Sequence, residues 1–101
     1  MKSQYIMEKG CLVVYVPREL DHHQANRIRT ETDLLIDTYH VRHLVFDFTE
    51  TEFMDSSGIA LILRSQQRMQ LLEGSVVLRN IPAQARRVLD AAGIGRLVSI
   101  K

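Results

Sequence analysis

Two adjacent serines, Ser56 and Ser57, stand between Asp55 and Gly58, and this Asp-Ser-Ser-Gly run is the stretch of the chain best equipped for chemistry. It follows Phe53-Met54 and precedes the apolar run Ile59-Ala60-Leu61-Ile62-Leu63. Arg42 to Phe48 reads as a short buried strand, whereas the apolar pattern after Gly58 is too long for a strand of ordinary length. Both hydroxyls therefore fall near a helix N-terminus. The first N–H groups of a helix lack internal acceptors and lie at the positive end of its dipole, so a phosphate attached there meets donors and favourable charge. Asp55 or Ser56 also suits the simpler role of N-cap, which is compatible with a modification site beside it.

Other reactive groups point to weaker chemistry. A hydrolase would need Ser56 or Ser57 with a histidine base, for which His22, His23, His40 and His43 are available, but the run lacks the glycine two residues before the serine that a nucleophile elbow requires. His40 and His43 straddle a loop and a strand start without a cysteine cluster, so a metal site with His22 or His23 is disfavoured against solvated or hydrogen-bonded imidazoles. Cys11, the single cysteine, sits in the apolar run Cys11 to Val16 and reads as a strand position. No glycine-rich phosphate loop is present, and no cofactor is expected.

The length of 101 residues bounds the chain to one domain, 1–101, with a single core. Thirteen basic and twelve acidic residues give a formal charge of +1, which supplies no bulk field for nucleic acid or an anionic membrane, so function is expected from a local surface. Ten of the basic residues are arginine; Arg64, Arg68, Arg86, Arg87 and Arg96 all lie in the C-terminal half, as a docking patch or a solvated helix face. One cysteine, no signal-type leader and no apolar run near 18 residues suggest a reducing, cytoplasmic setting.

The elements that must hold the serines follow from periodicity. Met1 to Met7 and Cys11 to Val16 suggest a hairpin through Glu8-Lys9-Gly10, ended by Pro17. Asp21 with Gln24 has the form of a capping box, and Ala25, Ile28, Thr32, Leu35, Ile36 and Tyr39 recur on one face of a first helix. A strand over Arg42 to Phe48 leads through the polar Thr49 to Glu52 connection to the Asp55 corner. A second helix then runs from about Ser56 to Leu72 and stops at Glu73-Gly74. Its first two turns are almost wholly apolar, which predicts deep burial, while Arg64, Gln66, Gln67, Arg68 and Gln70 return its far end to water. Ser75 to Arg79 is a fourth strand, Pro82 fits the first turn of a third helix with an Ala85, Val88, Leu89, Ala92 stripe, and Leu97 to Ile100 is a last short strand. Alternating strands and helices predict an α/β fold: a mixed sheet of four to five strands, the later ones parallel, with helices mainly on one face.

With these elements in place, the chain resembles the STAS domain family, and within it the anti-sigma factor antagonists. The resemblance covers nearly the whole chain. It is carried by Glu19-Leu20-Asp21-His22-His23, Val41-Arg42-His43-Leu44-Val45, Phe53-Met54-Asp55-Ser56-Ser57-Gly58, and the Pro82 to Gly93 segment with Arg86-Arg87-Val88-Leu89 and Ala92-Gly93. It implies a non-enzymatic regulator of transcription, of the kind used in sporulation, that works by partner switching. In its unphosphorylated form such a protein binds an anti-sigma factor serine kinase of the GHKL type and so frees the sigma factor. The kinase phosphorylates the serine after the motif aspartate, here Ser56, with Ser57 the adjacent alternative, and a PPM-type phosphatase reverses this. The implied contact surface comprises Asp21, His22, His23, Asp55, Ser56, Ser57 and Gly58, with Arg64 and Arg68 on the exposed turns of the second helix.

Phosphorylation would add roughly −1.5 to −2 charges beside Asp55, enough to spoil a surface matched to a neutral hydroxyl without rearranging the fold. Two departures stand out. Arg18 replaces the glycine usual before Glu-Leu-Asp and adds charge at the expected contact surface, and longer relatives carry a C-terminal helix beyond the position of Lys101, which would leave the last strand without its usual cover. The alternative within the same family is a non-phosphorylated accessory subunit of a membrane lipid or anion transporter.

Overall fold

The computed structural model describes residues 4–101, so the first three residues of the expected edge strand lie outside the described residues. Strand β1 (Tyr5–Glu8) turns directly into β2 (Cys11–Tyr15). Lys9 and Gly10 both adopt positive φ, 50° and 78°, the mirror-image two-residue turn whose twist matches an antiparallel hairpin. After β2 the chain alternates: β3 (Glu19–Leu20), helix α1 (His22–Thr38), β4 (His43–Asp47), β5 (Phe53–Met54), helix α2 (Ser56–Leu71), β6 (Ser75–Arg79), helix α3 (Ala83–Ala91), a 3-10 turn (Ile94–Arg96) and β7 (Ser99–Ile100).

The main sheet has five strands in the order β1-β2-β4-β6-β7, antiparallel only at β1–β2. Each step from β2 to β7 moves one strand in the same direction, and each passes through a helix. Crossovers of one hand then put all three helices on one side. The burial agrees: Leu12, Val14, Leu44, Phe46, Val76 and Leu78 point into a core shared with Ala25, Ile28, Ile36, Leu61, Ile62, Met69, Ala85 and Leu89. The mixed sheet with helices on one face is thus as expected, and Cys11 is a half-buried strand residue.

Four expectations need adjustment. Tyr39 is not on the buried stripe of α1: it lies just past the helix end and is half-exposed. Pro82 is the N-cap of α3 and not part of its first turn. The last strand is only Ser99–Ile100, because Gly93 enters the left-handed region and a 3-10 turn takes up the following residues. Finally, Glu19–Leu20 and Phe53–Met54 form a second, two-stranded parallel sheet. Two-residue strands leave no periodicity to read, so this ribbon was invisible in the sequence.

One polar cluster fixes the far end of β4. Asp47 is 4% exposed yet accepts hydrogen bonds from Thr49, Arg79 (2.8 Å) and Asn80 (3.3 Å). Burial pushes its carboxyl up, but the bonds from Thr49, Arg79 and Asn80 outweigh that and hold it at about 2, against an ordinary 3.8.

Candidate functional site

The parallel ribbon is what assembles the site. Glu19 lies beside Phe53 and Leu20 beside Met54, so the next residues, Asp21 and Asp55, are neighbours in register. Each aspartate is the N-cap of the helix that follows. Asp21 Oδ1 accepts from the Gln24 N–H at 2.9 Å and Asp55 Oδ1 from the Ser57 N–H at 2.8 Å. The capping box expected at α1 is only half formed, since the Gln24 amide oxygen accepts from Arg27 instead of the Asp21 N–H. Two helix N-termini and two capping carboxylates are thereby brought to one edge of the molecule.

Two contacts hold the Asp55 corner still. Gln84 of α3 lies along β5, its Oε1 accepting from the Met54 N–H at 2.9 Å and its Nε2 donating to the Met54 carbonyl at 3.0 Å. A side-chain amide here satisfies the backbone that a third strand would otherwise pair. Gly58, buried in the first turn of α2, lets the helix settle onto the ribbon. A Cβ there would lie 2.6 Å from the Met54 side chain and 2.9 Å from Leu20. Gln84 had no sequence signal beyond being a polar residue early in a helix.

The two hydroxyls differ. Ser56 is exposed and Ser57 half-buried. Ser56 opens onto a groove between α2 and α3 lined by Ile59, Ala60, Leu63, Val88, Ala91 and Ala92, about 430 Å³ in volume. Ser57 faces a cleft between α1 and α2 lined by His22, Asn26, Arg29 and Arg64 over Ala25, Ala60 and Leu61. The expected deep burial of the start of α2 holds for Leu61 and Ile62 only. Ala60 is exposed and Ile59 and Leu63 are half-buried, so apolar surface is presented directly beside Ser56.

The remaining expected contact residues separate into two groups. His22 and His23 are exposed at the start of α1, with His22 Nε2 3.1 Å from Asn26 Nδ2. Arg64 projects from α2 and meets Asp33 at 3.5 Å. Arg68 is different: it bridges α2 to α1 through Asp33 at 2.8 Å and through Asp37, and is only 26% exposed. Twelve residues of helix, roughly 18 Å at 1.5 Å per residue, separate it from Ser56. Arg68 is a clamp between helices. Arg86 is likewise engaged, with Asp90 at 3.1 Å, and Arg18 pairs with Glu52. His43 Nδ1 lies 2.8 Å from Ser75 Oγ, and among the described residues no group of three side chains is placed to hold a metal ion. No helix among them is long and apolar enough to cross a membrane.

This fold and its serine-bearing helix start define the class. The STAS domain family profile matches residues 4–101, and the chain belongs to that family. An anti-sigma F factor antagonist from Paenibacillus polymyxa is 30% identical over 99% of this chain and 87% of its own length. The structure of the anti-sigma factor antagonist SpoIIAA in its unphosphorylated form superposes with a TM-score of 0.87 at 28% identity, covering 97% of this chain and 86% of that one. The Bacillus cell fate determinant SpoIIAA in its phosphorylated form gives 0.78 at 28% identity, covering 97% and 89%.

Proposed function

We propose that this protein is an anti-sigma factor antagonist, a non-catalytic cytoplasmic switch whose unphosphorylated form binds an anti-sigma serine kinase of the GHKL type and frees the sigma factor held by it. The observation that carries this reading is the exposed Ser56 hydroxyl at the start of α2, flanked by a capping carboxylate on one side and an apolar groove on the other. The relatives named as anti-sigma factor antagonists, one of them known in both phosphorylation states, support it.

The contact surface in this reading is the ribbon edge with Asp21, His22, His23, Asp55, Ser56 and Ser57, extended by the apolar groove and bordered by Arg64; Gly58, expected there from the sequence, is buried against Met54 and Leu20 and supports the surface from beneath. Apolar side chains of the kinase would fill the groove while the Ser56 oxygen stays neutral. In the inactivating step the Ser56 Oγ attacks the γ-phosphorus of ATP held by the kinase. A P–O bond to serine forms, the bond to ADP breaks, and the hydroxyl proton passes to a base of the kinase. The product places two negative charges at the mouth of an apolar groove and beside Asp55 and Asp21. Docking would then require desolvating an unpaired dianion, and a loss of about 3 kcal/mol weakens binding more than a hundredfold. The fold itself need not move, since Ser56 is exposed and its phosphate would stand at the positive end of the α2 dipole. Hydrolysis of the serine–phosphate bond by a PPM-type phosphatase restores the hydroxyl.

The test is intact-mass spectrometry after incubation with the anti-sigma kinase and Mg-ATP. A single added phosphate on the wild type and on Ser57→Ala, absent from Ser56→Ala, is expected. An active kinase that leaves the wild type unmodified would overturn the proposal.

A further inference from the structure

Half of the ten arginines are held within the chain. Arg18, Arg27, Arg68, Arg79 and Arg86 each form an ion pair with a carboxylate of the same chain. Arg29, Arg42, Arg87 and Arg96 have neither side-chain hydrogen-bond nor ion-pair partner among the described residues, and of these four Arg29 alone is half-buried while the others are exposed. Arg64 is held by one contact, at the 3.5 Å limit, to Asp33, whose carboxylate is already taken by Arg68 at 2.8 Å. The under-paired guanidinium groups of Arg29 and Arg64, one from each helix, line the same cleft of about 330 Å³ beside Ser57. His22 and Asn26 complete its polar rim. Its floor is Ala25, Ala60 and Leu61, and the two alanines, one on each facing helix, leave the space that larger side chains would close.

We propose that this α1–α2 cleft receives an acidic side chain, a glutamate or aspartate, of the protein that docks on Ser56. The methylene stem would lie on Ala25, Ala60 and Leu61, and the carboxylate between Arg29 and Arg64, whose planar forks suit it. A side chain of the docked partner fits better than a free anion because of position. Ala60 lines both this cleft and the apolar groove at Ser56, so a protein seated on the groove straddles the first turns of α2 and covers the cleft as well. The cleft supplies steering and partner choice, and the groove supplies apolar burial. This inference rests on the Ser56 docking reading given above.

The experiment measures association and dissociation rates of the unphosphorylated protein with the purified anti-sigma kinase, at low and high salt, for the wild type, Arg29→Gln, Arg64→Gln, the double variant, and Arg42→Gln as a control that removes an arginine beside Leu72 and Glu73 at the opposite end of α2. Arg29→Gln breaks no internal bond, which separates loss of recognition from loss of fold, and thermal unfolding verifies that Arg64→Gln remains native. The double variant is expected to bind about 10- to 100-fold more weakly, with a lower association rate and a flattened salt dependence, while Arg42→Gln behaves as wild type. Wild-type affinity and salt dependence in the double variant, with Ser56→Asp still abolishing binding, would overturn the cleft proposal alone. If Ser56→Asp binds normally, the docking reading falls and this proposal with it. A titration with inorganic phosphate provides the remaining arm. Saturable binding that needs Arg29 and Arg64, without any change in kinase affinity, would mark a small-anion site and refute the side-chain receptor.

Discussion

The starts of α1 and α2 are built alike up to the cap and diverge after it. Both follow a two-residue strand of the same parallel ribbon, and both are capped by an aspartate that accepts a backbone N–H of the first turn. After Asp21 come His22, His23 and Gln24; after Asp55 come Ser56, Ser57 and Gly58. The first start has bulk and an imidazole bonded to Asn26. The second has two small hydroxyls and a glycine, and it is pressed against Met54 and Leu20. The caps are structural in both. What distinguishes α2 is a small exposed hydroxyl on a closely packed turn with apolar surface on its flank, which is the part that the proposed switch would use.

Changes at the second start should therefore cost more than the matching changes at the first. The largest effect is expected for Ser56→Asp, with a loss of kinase binding greater than about a hundredfold by calorimetry and little change in unfolding temperature. His22→Asp, its counterpart in the ribbon register, should cost less, since it repels a carboxylate at the rim of the α1–α2 cleft without putting a charge at the mouth of the apolar groove; equal losses would mean that charge anywhere on this edge blocks docking. Next comes Gly58→Leu, which must displace Met54 and Leu20 and should destabilise by about 1–3 kcal/mol in urea denaturation, whereas Gln24→Leu at the matching position of α1 should stay within about 1 kcal/mol.

A third effect lies away from both starts and sets their background. Asp47 is held at about 2 in the folded protein against an ordinary 3.8, so it favours folding above that ordinary value and the contribution fades as pH falls from about 4 towards 2. Its size is on the order of 2 kcal/mol. Asp47→Asn should lower stability at neutral pH and flatten the acid limb of a stability–pH curve; an unchanged limb would contradict the role given to Thr49, Arg79 and Asn80. The smallest effects test the likeness itself. Asp21→Ala and Asp55→Ala should each cost about 1 kcal/mol by thermal unfolding, as loss of one N-cap bond does. A clear inequality between them would show that the two caps are not equivalent.

Much of this could be read from residue order. The turn at Lys9-Gly10, the 3.6-residue period of α1, the length of the apolar pattern after Gly58 and the alternation of strands and helices depend on neighbours within a few residues, which is the range over which backbone preference and amphipathic pattern act. The same range sufficed to place Ser56 at a helix start. Residue order also misled where pattern and packing part: the apolar start of α2 predicted burial, yet Ala60 is exposed and Ile59 and Leu63 are only half-buried, because α3 leaves a groove along that side of the helix.

Composition and spacing by themselves determined one mixed α/β domain with a hydroxyl at a helix N-terminus, because those features are set by local chemistry. Only the tertiary structure decided that Asp21 stands beside Asp55, that Gln84 fastens Met54, that Arg68 is a clamp and Arg29 is left without a partner, and that Ser56 and Ser57 face different depressions. Each of these joins residues 30 or more positions apart, or depends on which side of a helix another element covers. Such pairings arise from the closure of the whole core, and no local pattern encodes them.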